Sequence, residues 1–210
     1  RHDKQGALGK YGGDGRTEDA VRLGLQWLAR HQSLDGSWSR TDFTARCKPG
    51  DPCHGEGFAP EGFVPVPVDP AVTGLALLAF SANDNTHLKG AYKDQVAKGV
   101  KYLLSIQAPN GQFGAFRRDV NQYMMYNQGI ATFALGEICA MSDDPALKAP
   151  LEKAVQFICN AQQISGAWDY TDAKTGRYDT SVTGWQVMAL KSAQAAGIDI
   201  PARIIFKTAA

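Results

Sequence analysis

The stretch KGVKYLLSIQAPNGQFG, residues 98–114, joins an amphipathic helical pattern to a glycine turn that an aromatic residue closes. The helical pattern ends at Gln107, the turn is Asn110-Gly111, and the closing residue is Phe113. Glycine supplies the positive φ that reverses a chain, and a glutamine amide bonds backbone groups left unpaired at a helix end. We therefore expect this stretch to fasten one pair of helices to the next.

The same pattern occurs three times along the chain. Each copy has a segment ending in Gln, a Gly-x-aromatic turn, and a more apolar segment with a glycine of its own. The glycines of the apolar segments are 55 residues apart, whereas the first two turn glutamines are 75 apart, so the first copy contains an insertion. Self-similarity on this scale is typical of repeat proteins. We call each Gln, Gly and aromatic set a repeat turn: Gln32, Gly36 and Trp38; Gln107, Gly111 and Phe113; and Gln162, Gly166 and Trp168, followed by the apolar-segment glycines Gly74, Gly129 and Gly184.

The two helices predicted in each copy differ in polarity. The first helix has one apolar stripe, and Thr17 is placed to cap the first of them. The second helix carries almost no charge, and a helix apolar on most sides must be covered on most sides. The pattern predicts an all-α fold, a stack of about three helical hairpins forming a partial α/α toroid. We expect this domain over residues 16–210, a flexible lead-in over 1–15, and a long insertion over 39–68.

The repeat resembles the QW motif of squalene-hopene and oxidosqualene cyclases, in which a basic residue and Gly precede an aromatic-Leu pair, then Gln and Gly-x-Trp. Related repeats occur in protein prenyltransferase β-subunits. The amino-acid sequence of the third copy is most similar to squalene-cyclase-like repeat proteins of planctomycete bacteria. The matching residues are Lys98, Gly99, Tyr102, Leu103, Gln107 and Gly111, with Phe113 in place of Trp; a variant set of Arg22, Gly24, Trp27, Leu28, Gln32, Gly36 and Trp38; and Gln162, Gly166 and Trp168.

The resemblance implies a toroid fold, but the catalytic motifs of these families are absent from the sequence. Terpene cyclases protonate their substrate with an Asp-x-Asp-Asp run, and protein prenyltransferases hold zinc with an Asp-x-Cys pair plus His. Neither run occurs here. We therefore expect a repeat domain that binds an apolar small molecule or a protein partner without catalysis of its own. The alternative is part of a squalene-cyclase-like enzyme whose catalytic acid motif lies outside this fragment.

Two acids and three aromatic residues are the candidates for chemistry on the inner helices. Asp69 and Asp179 stand at equivalent positions before inner helices. They are either N-caps or carboxyls directed into a central cavity, where apolar surroundings would raise the pKa of a proton donor; Asp179 is the preferred candidate. Tyr126, Phe133 and Trp185 are candidates for contact with an apolar ligand, with core packing as the alternative.

The insertion contains CKPGDPCHGEG, which offers three ligands for a metal ion. Cys47, Cys53 and His54 are a candidate zinc site, with His31 or His87 as a fourth ligand. The spacing is not a recognised structural-zinc pattern, so a disulfide and free thiols stay open as alternatives. The other cysteines, Cys139 and Cys159, lie in apolar helical runs and are expected to be buried small hydrophobes.

The overall charge and hydrophobicity of the sequence argue against some classes of function. The 22 basic and 21 acidic residues give a formal net charge of +1, which offers no electrostatic argument for nucleic acid binding. No run of about 18 apolar residues is present, so no transmembrane segment is expected. Because the chain begins with Arg1 rather than Met, a missing upstream signal or anchor would place it outside the cytoplasm. Three hairpins leave an apolar flank, which predicts self-association or a longer parent chain.

Overall fold

The computed structural model describes residues 10, 12–41, 43–47, 49–50, 53, 68–114 and 123–209. Within these ranges the fold is helical, and the β pairing is limited to an isolated bridge between Gln107 and Phe113. The all-α prediction is therefore confirmed. The seven α-helices of these ranges are α1 (Gly15–Arg30), α2 (Asp69–Ala82), α3 (Lys93–Ile106), α4 (Met124–Ser142), α5 (Lys148–Ala161), α6 (Thr180–Ala195) and α7 (Ala202–Ala209), and short 3-10 helices lie at Phe43–Arg46 and Pro145–Leu147.

By their order along the chain the helices make up three hairpins, α1–α2, α3–α4 and α5–α6, followed by α7. The outer helices α3 and α5 pack most on the inner helix of the preceding hairpin, α2 and α4 respectively. The second helices of the hairpins, α2, α4 and α6, form an inner row in which α4 packs extensively against both α2 and α6. Helices α3 and α5 pack on this row from outside, whereas α1 makes much sparser contact with α2. The stack of hairpins agrees with the predicted architecture, and closure into a toroid stays a prediction.

Helix α4 is the most buried element because helices pack on it from several sides. Met125, Leu135 and Ile138 are fully buried, and the buried amide of Asn127 accepts the backbone N–H of Ala71 on α2 at 3.1 Å. A buried polar group without such a partner would be costly. Among the helices that the structure describes, α4 included, none combines the length and the apolarity needed to cross a membrane.

Helix α1 begins earlier than the sequence pattern predicts. The N-cap is Asp14, whose carboxylate accepts the backbone N–H of Thr17 at 3.0 Å, while Thr17 Oγ1 accepts the N–H of Asp14 at 3.3 Å. This reciprocal arrangement is a capping box, so the prediction of Thr17 as the cap is wrong. Gly15, placed in the lead-in, belongs to the helix. Residues 1–9 and 11, which hold most of the predicted lead-in, lie outside the described residues.

The turn glutamines join consecutive hairpins through their side-chain amides. Gln32 Nε2 donates to the carbonyl of Gly36 in its own turn at 2.9 Å and to the carbonyl of Gln95 on α3 at 2.8 Å. In the next two repeats the second bond reaches Pro150 on α5 at 2.9 Å and Ile204 on α7 at 3.0 Å. Each acceptor is the third residue of its helix. Helix α7 therefore takes the position of a fourth outer helix, and each such bond contributes about 1 kcal/mol.

Glycine is required in every repeat turn for two reasons. Gly36, Gly111 and Gly166 have φ values of 95°, 90° and 90°, a region that residues with a Cβ rarely adopt. Each also touches the next outer helix. A Cβ on Gly36 would lie 2.4 Å from the carbonyl oxygen of Lys98, and the corresponding approach for Gly111 and Gly166 is 2.0 Å.

The closing aromatic residue of each turn is buried and bonded to the inner helix of its own hairpin. Its backbone N–H donates to a side-chain oxygen one turn inside the inner helix. The three acceptors are 55 residues apart, which shows that the repeat holds at the level of single bonds. The pairs are Trp38 with Thr73 at 3.0 Å, Phe113 with Gln128 at 2.9 Å, and Trp168 with Thr183 at 3.0 Å.

Candidate metal centre and apolar grooves

A histidine and two cysteines meet at the end of α1. His31 follows the last residue of α1, Cys47 follows the 3-10 helix Phe43–Arg46, and Cys53 lies further along the insertion. The Nε2 atom of His31 is 2.9 Å from Cys53 Sγ and 3.6 Å from Cys47 Sγ, and the three ligand atoms lie within 4.8 Å of one another. We call these residues the thiol–imidazole cluster. The cluster could hold a metal ion.

The orientation of the His31 ring leaves its Nε2 atom available to the sulfur atoms. His31 Nδ1 is 2.6 Å from the carbonyl oxygen of Trp27. Because a carbonyl only accepts, Nδ1 carries a hydrogen, and in the neutral ring Nε2 then carries the lone pair. The imidazole also stacks on the Trp27 indole, with ring centroids 3.9 Å apart and planes 15° from parallel. Metal-ligating histidines characteristically donate their second ring N–H to a carbonyl or carboxylate in this way.

Both sulfur atoms receive N–H hydrogen bonds. The indole Nε1–H of Trp27 points at Cys53 Sγ over 3.3 Å, and the backbone N–H of Cys53 points at Cys47 Sγ over 3.1 Å. These donors help to fix the positions of the two sulfur atoms, and a cysteine binds metal as its thiolate. Trp27 therefore contacts two of the three members of the cluster: its carbonyl fixes the imidazole and its indole donates to a sulfur.

His31 occupies a position that is apolar in the other repeats. The residue before the turn glutamine is Ile106 in the second repeat and Ala161 in the third. His31 is only 3% exposed, so a titratable ring replaces a packed apolar side chain in the one repeat that carries the insertion. A buried polar residue at such a position requires a polar partner. This break in the repeat is the sequence signal that singles out His31.

The cluster agrees in part with the sequence-based expectation. Cys47 and Cys53 are brought together as predicted, and they are not joined by a disulfide. His31, considered only as a fourth ligand, is the histidine that joins them, and His54 lies outside the described residues. His87 lies elsewhere, with its Nε2 2.7 Å from a carboxylate oxygen of Asp144. That histidine holds the pKa of the Asp144 carboxyl below its ordinary value.

The two remaining cysteines differ in burial. Cys139 on α4 is fully buried, as expected for a small hydrophobe, whereas Cys159 on α5 is half-buried. Burial raises the pKa of both thiols. Neither thiol is therefore activated as a nucleophile or metal ligand.

Two apolar depressions flank the cluster. One, which we call the α1 groove, has a volume of about 580 Å³ and lies between α1 and the end of α2. The other, the insertion pocket, has a volume of about 380 Å³ and lies between the turn of the first repeat, the 3-10 helix and α2. Trp27 and Leu28 line both, so the two form adjoining surfaces. The α1 groove is lined by Glu18, Val21, Gly24, Leu25, Trp27, Leu28, Ala79, Ala82 and Asn83, and the insertion pocket by Trp27, Leu28, His31, Trp38, Ser39, Arg40, Phe43, Val72, Leu75 and Ala76.

The two candidate acids have opposite environments despite their equivalent repeat positions. Burial raises the pKa of Asp69, whose carboxylate accepts the backbone N–H of Arg40 at 3.2 Å. Asp179 is the N-cap of α6 and accepts the Val182 N–H at 2.9 Å. Its pKa is lowered, first by the hydroxyl of Ser181 and then by that N–H. Asp179, the preferred candidate from sequence, thus keeps its charge, and Asp69 has the environment closer to that of a proton donor.

The three aromatic candidates for ligand contact lie on α4 and α6, away from both depressions. Tyr126 and Phe133 are half-buried and pack against the core. The Tyr126 hydroxyl bonds the hydroxyl of Ser181, and its ring lies 6.1 Å from that of Tyr170. Trp185, also half-buried, has its Cβ at the Gly129 backbone on α4. These contacts are those of side chains between neighbouring inner helices.

We compared the sequence with known protein families and with curated proteins. No protein-family model matches the sequence, and no curated protein matches it significantly.

Proposed function

We propose that this chain binds a zinc ion through His31, Cys47 and Cys53. One imidazole nitrogen and two thiolates form a donor set that zinc uses widely, and sulfur ligands favour zinc over harder cations. The convergence of the three ligand atoms within 4.8 Å carries the proposal. The Nδ1 bond to Trp27 supports it, because that bond fixes the ring for ligation.

The proposed role of the zinc ion is structural. It would join the end of α1 to the insertion, at a helix that packs only sparsely on the inner row. Metal binding that needs the folded arrangement of its ligands adds its free energy to folding. When bound, zinc would link the end of α1, through His31, to the insertion, through Cys47 and Cys53.

Metal analysis of purified protein tests this proposal. Wild-type protein equilibrated with one equivalent of Zn²⁺ and then dialysed should retain about one ion per chain, with competition by a chromophoric chelator giving the affinity. His31→Ala, Cys47→Ser and Cys53→Ser should each weaken binding by about 100-fold or more. Cys159→Ser, a half-buried thiol outside the cluster, is the matched control and should bind as wild type. Equal zinc retention in wild type and His31→Ala would refute the proposal.

As a second function, we propose that the helical part is a binding domain without catalysis of its own, similar to the repeats of terpenoid cyclases and protein prenyltransferases. The observation that favours it is the α1 groove, whose lining is almost wholly apolar and whose volume of about 580 Å³ lies in the range of ligand-binding clefts. Its occupant would be a protein partner, with an apolar small molecule as the other candidate. The hydrogen-bonded state of Asp179 supports a capping role for that acid.

The enzymatic alternative is a squalene-cyclase-like activity that depends on an acid motif outside this fragment. Incubation of the purified chain with squalene or with isoprenyl diphosphates should leave both unchanged. A cyclised product that disappears in Asp69→Asn or Asp179→Asn would instead establish the enzyme. Asp172→Asn, at a half-buried acid in the bend between α5 and α6, is the matched control for these substitutions.

A further inference from the structure

One face of the outer helix α1 is exposed, whereas the equivalent face of the outer helices α3 and α5 is buried. Seventy-five residues separate equivalent positions of α1 and α3, as Gln32 and Gln107 show. Val21 on α1 is 41% exposed, whereas its equivalents Val96 on α3 and Leu151 on α5 are fully buried. The repeat therefore specifies an apolar contact at this face that α1 lacks among the described residues.

The second hairpin shows what covers this face. Gly99 on α3 is the equivalent of Gly24 on α1. A Cβ on Gly99 would lie 2.9 Å from both Trp38 and Leu77, which are the closing aromatic and an inner-helix residue of the preceding hairpin. A Cβ on Gly24 would meet nothing within 4 Å. The small residue permits close approach of a neighbouring hairpin, and only α3 has that neighbour in place.

The inner helices α2 and α4 show the same difference in exposure. Gly74 on α2 lies against Ile130 on α4, where an added Cβ would come within 2.9 Å of the Ile130 carbonyl oxygen. Ile130 is 5% exposed, but Leu75, its equivalent on α2, is 45% exposed. The first hairpin thus presents an open outer helix and an open inner helix on the same side. These are the two surfaces that the later hairpins use to receive the hairpin before them.

We propose that the α1 groove, together with the exposed side of α2 at Leu75, is a docking surface for another helical hairpin that carries a repeat turn. Its closing aromatic would occupy the space above Gly24, and its turn glycine would approach the carbonyl of Leu23, the equivalent of Lys98. Its turn glutamine would bond the carbonyl of Ala20, the equivalent of Gln95. The inference rests on the proposed binding function and specifies its partner as a protein of this helical kind.

The hairpins of this chain do not supply that partner intramolecularly. The first repeat turn is bonded to α3, the second to α5 and the third to α7. A partner must therefore bring a repeat turn of its own. Because the contacts are a glycine against a carbonyl, a glutamine amide against a carbonyl and a ring in an apolar groove, a helix without such a turn would not reproduce them.

A tandem protein tests the inference. A second copy of residues 148–197, which contains α5, a repeat turn and α6, is joined directly to Asp14 of the chain. This junction keeps the 42 residues that separate Gln162 from Ile204 in the native chain, now ending at Ala20. Amide hydrogen exchange in α1 should slow about tenfold or more relative to the unjoined chain. A Gly166→Val substitution in the added copy alone should abolish this protection, because its side chain would collide with the α1 backbone.

Equal α1 exchange in the tandem protein and in its Gly166→Val version would overturn the inference. Binding of the apolar dye ANS separates this failure from failure of the binding function. Suppose that the unjoined chain binds the dye, that Val21→Asp abolishes this binding, and that the tandem protein shows no protection of α1. These results together would retain the apolar-ligand function and reject the hairpin partner. Displacement of that dye by the added hairpin, but not by its Gly166→Val version, would support it. Concentration-dependent dimerisation abolished by Gly24→Leu would contradict the hairpin partner, because the three repeat turns of a second copy are already bonded to that copy's own helices.

Discussion

The first hairpin and the two that follow it share one set of bonds and differ in what surrounds them. All three use a glutamine and a glycine to hold the turn against the next outer helix, and an aromatic residue bonded to the inner helix of the same hairpin. Only the first replaces an apolar residue by His31, carries the cysteine-containing insertion and leaves Val21 exposed where Val96 is buried. The common bonds make the scaffold, and the departures from them mark where the first hairpin acquires other roles.

The largest expected effect concerns the closing aromatics. Trp168 is fully buried and its indole N–H donates to the carbonyl of Ile158 at 2.8 Å. Trp168→Ala should lower the free energy of unfolding by about 3–5 kcal/mol, because the substitution leaves a large cavity. Trp38→Ala should cost less, since Trp38 lies beside the open first hairpin. Urea unfolding checks both, and an equal or smaller loss at Trp168 would contradict this view of the repeat.

Metal removal should affect the first hairpin next most strongly. With free Zn²⁺ at 100 times the dissociation constant, the bound ion adds about 2.7 kcal/mol to the stability of the folded state. A chelator should therefore lower the Tm of wild type by several degrees and leave the Tm of His31→Ala unchanged. The melting curves of Cys159→Ser should respond as wild type does. A chelator effect of equal size in His31→Ala would place the ion elsewhere.

The paired glycines Gly24 and Gly99 give a sharper comparison of the two hairpins. Gly24→Ala should raise stability by up to about 1 kcal/mol, because alanine is the better helix former and the added Cβ meets open space. Gly99→Ala should lower stability by about 1 kcal/mol, because the Cβ would press on Trp38 and Leu77. Chemical denaturation of the two single variants measures the difference. A loss at Gly24 as large as that at Gly99 would mean that α1 already has a packed neighbour.

The smallest expected effect concerns the two equivalent acids. The pKa of Asp69 is raised in the folded protein, so its contribution is most favourable below the unfolded pKa and is lost as the pH rises through the folded pKa. The pKa of Asp179 is lowered, so its contribution is present above the unfolded pKa and is lost as the pH falls through the folded pKa. At pH 7, Asp179→Ala should cost about 1 kcal/mol through loss of the N-cap, and Asp69→Asn should be neutral or stabilising. The reverse order at pH 7 would refute these assignments.

The sequence predicted the repeated helices and turns, but only some of the features that occur in a single repeat. Gly36 and Gln32 were identifiable because three copies agree in register, and the turn chemistry of glycine is local. The start of α1 was placed too late because Asp14 and Thr17 both suit a cap, and only the backbone geometry shows which one serves. A repeated turn can be checked against its other copies in the sequence, whereas the N-cap of α1 has no second copy for comparison.

The metal site was harder to predict because its residues are far apart in sequence. Cys47 and Cys53 were visible as a pair within the insertion. His31 was not assigned as their main partner, because its distance from them depends on how the insertion returns to the end of α1. The repeat contained the missing signal, since Ile106 and Ala161 show that an apolar residue belongs at that position. The pKa directions of Asp69 and Asp179 depend on burial and hydrogen bonds that the sequence pattern does not specify.

X-ray absorption at the zinc edge of the zinc-loaded protein tests the central claim most directly, namely that the first hairpin binds zinc through His31, Cys47 and Cys53. The account predicts two sulfur ligands at about 2.3 Å and at least one imidazole nitrogen at about 2.0 Å, with the nitrogen shell altered in His31→Ala. A spectrum with only nitrogen and oxygen ligands, or one unchanged by His31→Ala, would contradict it.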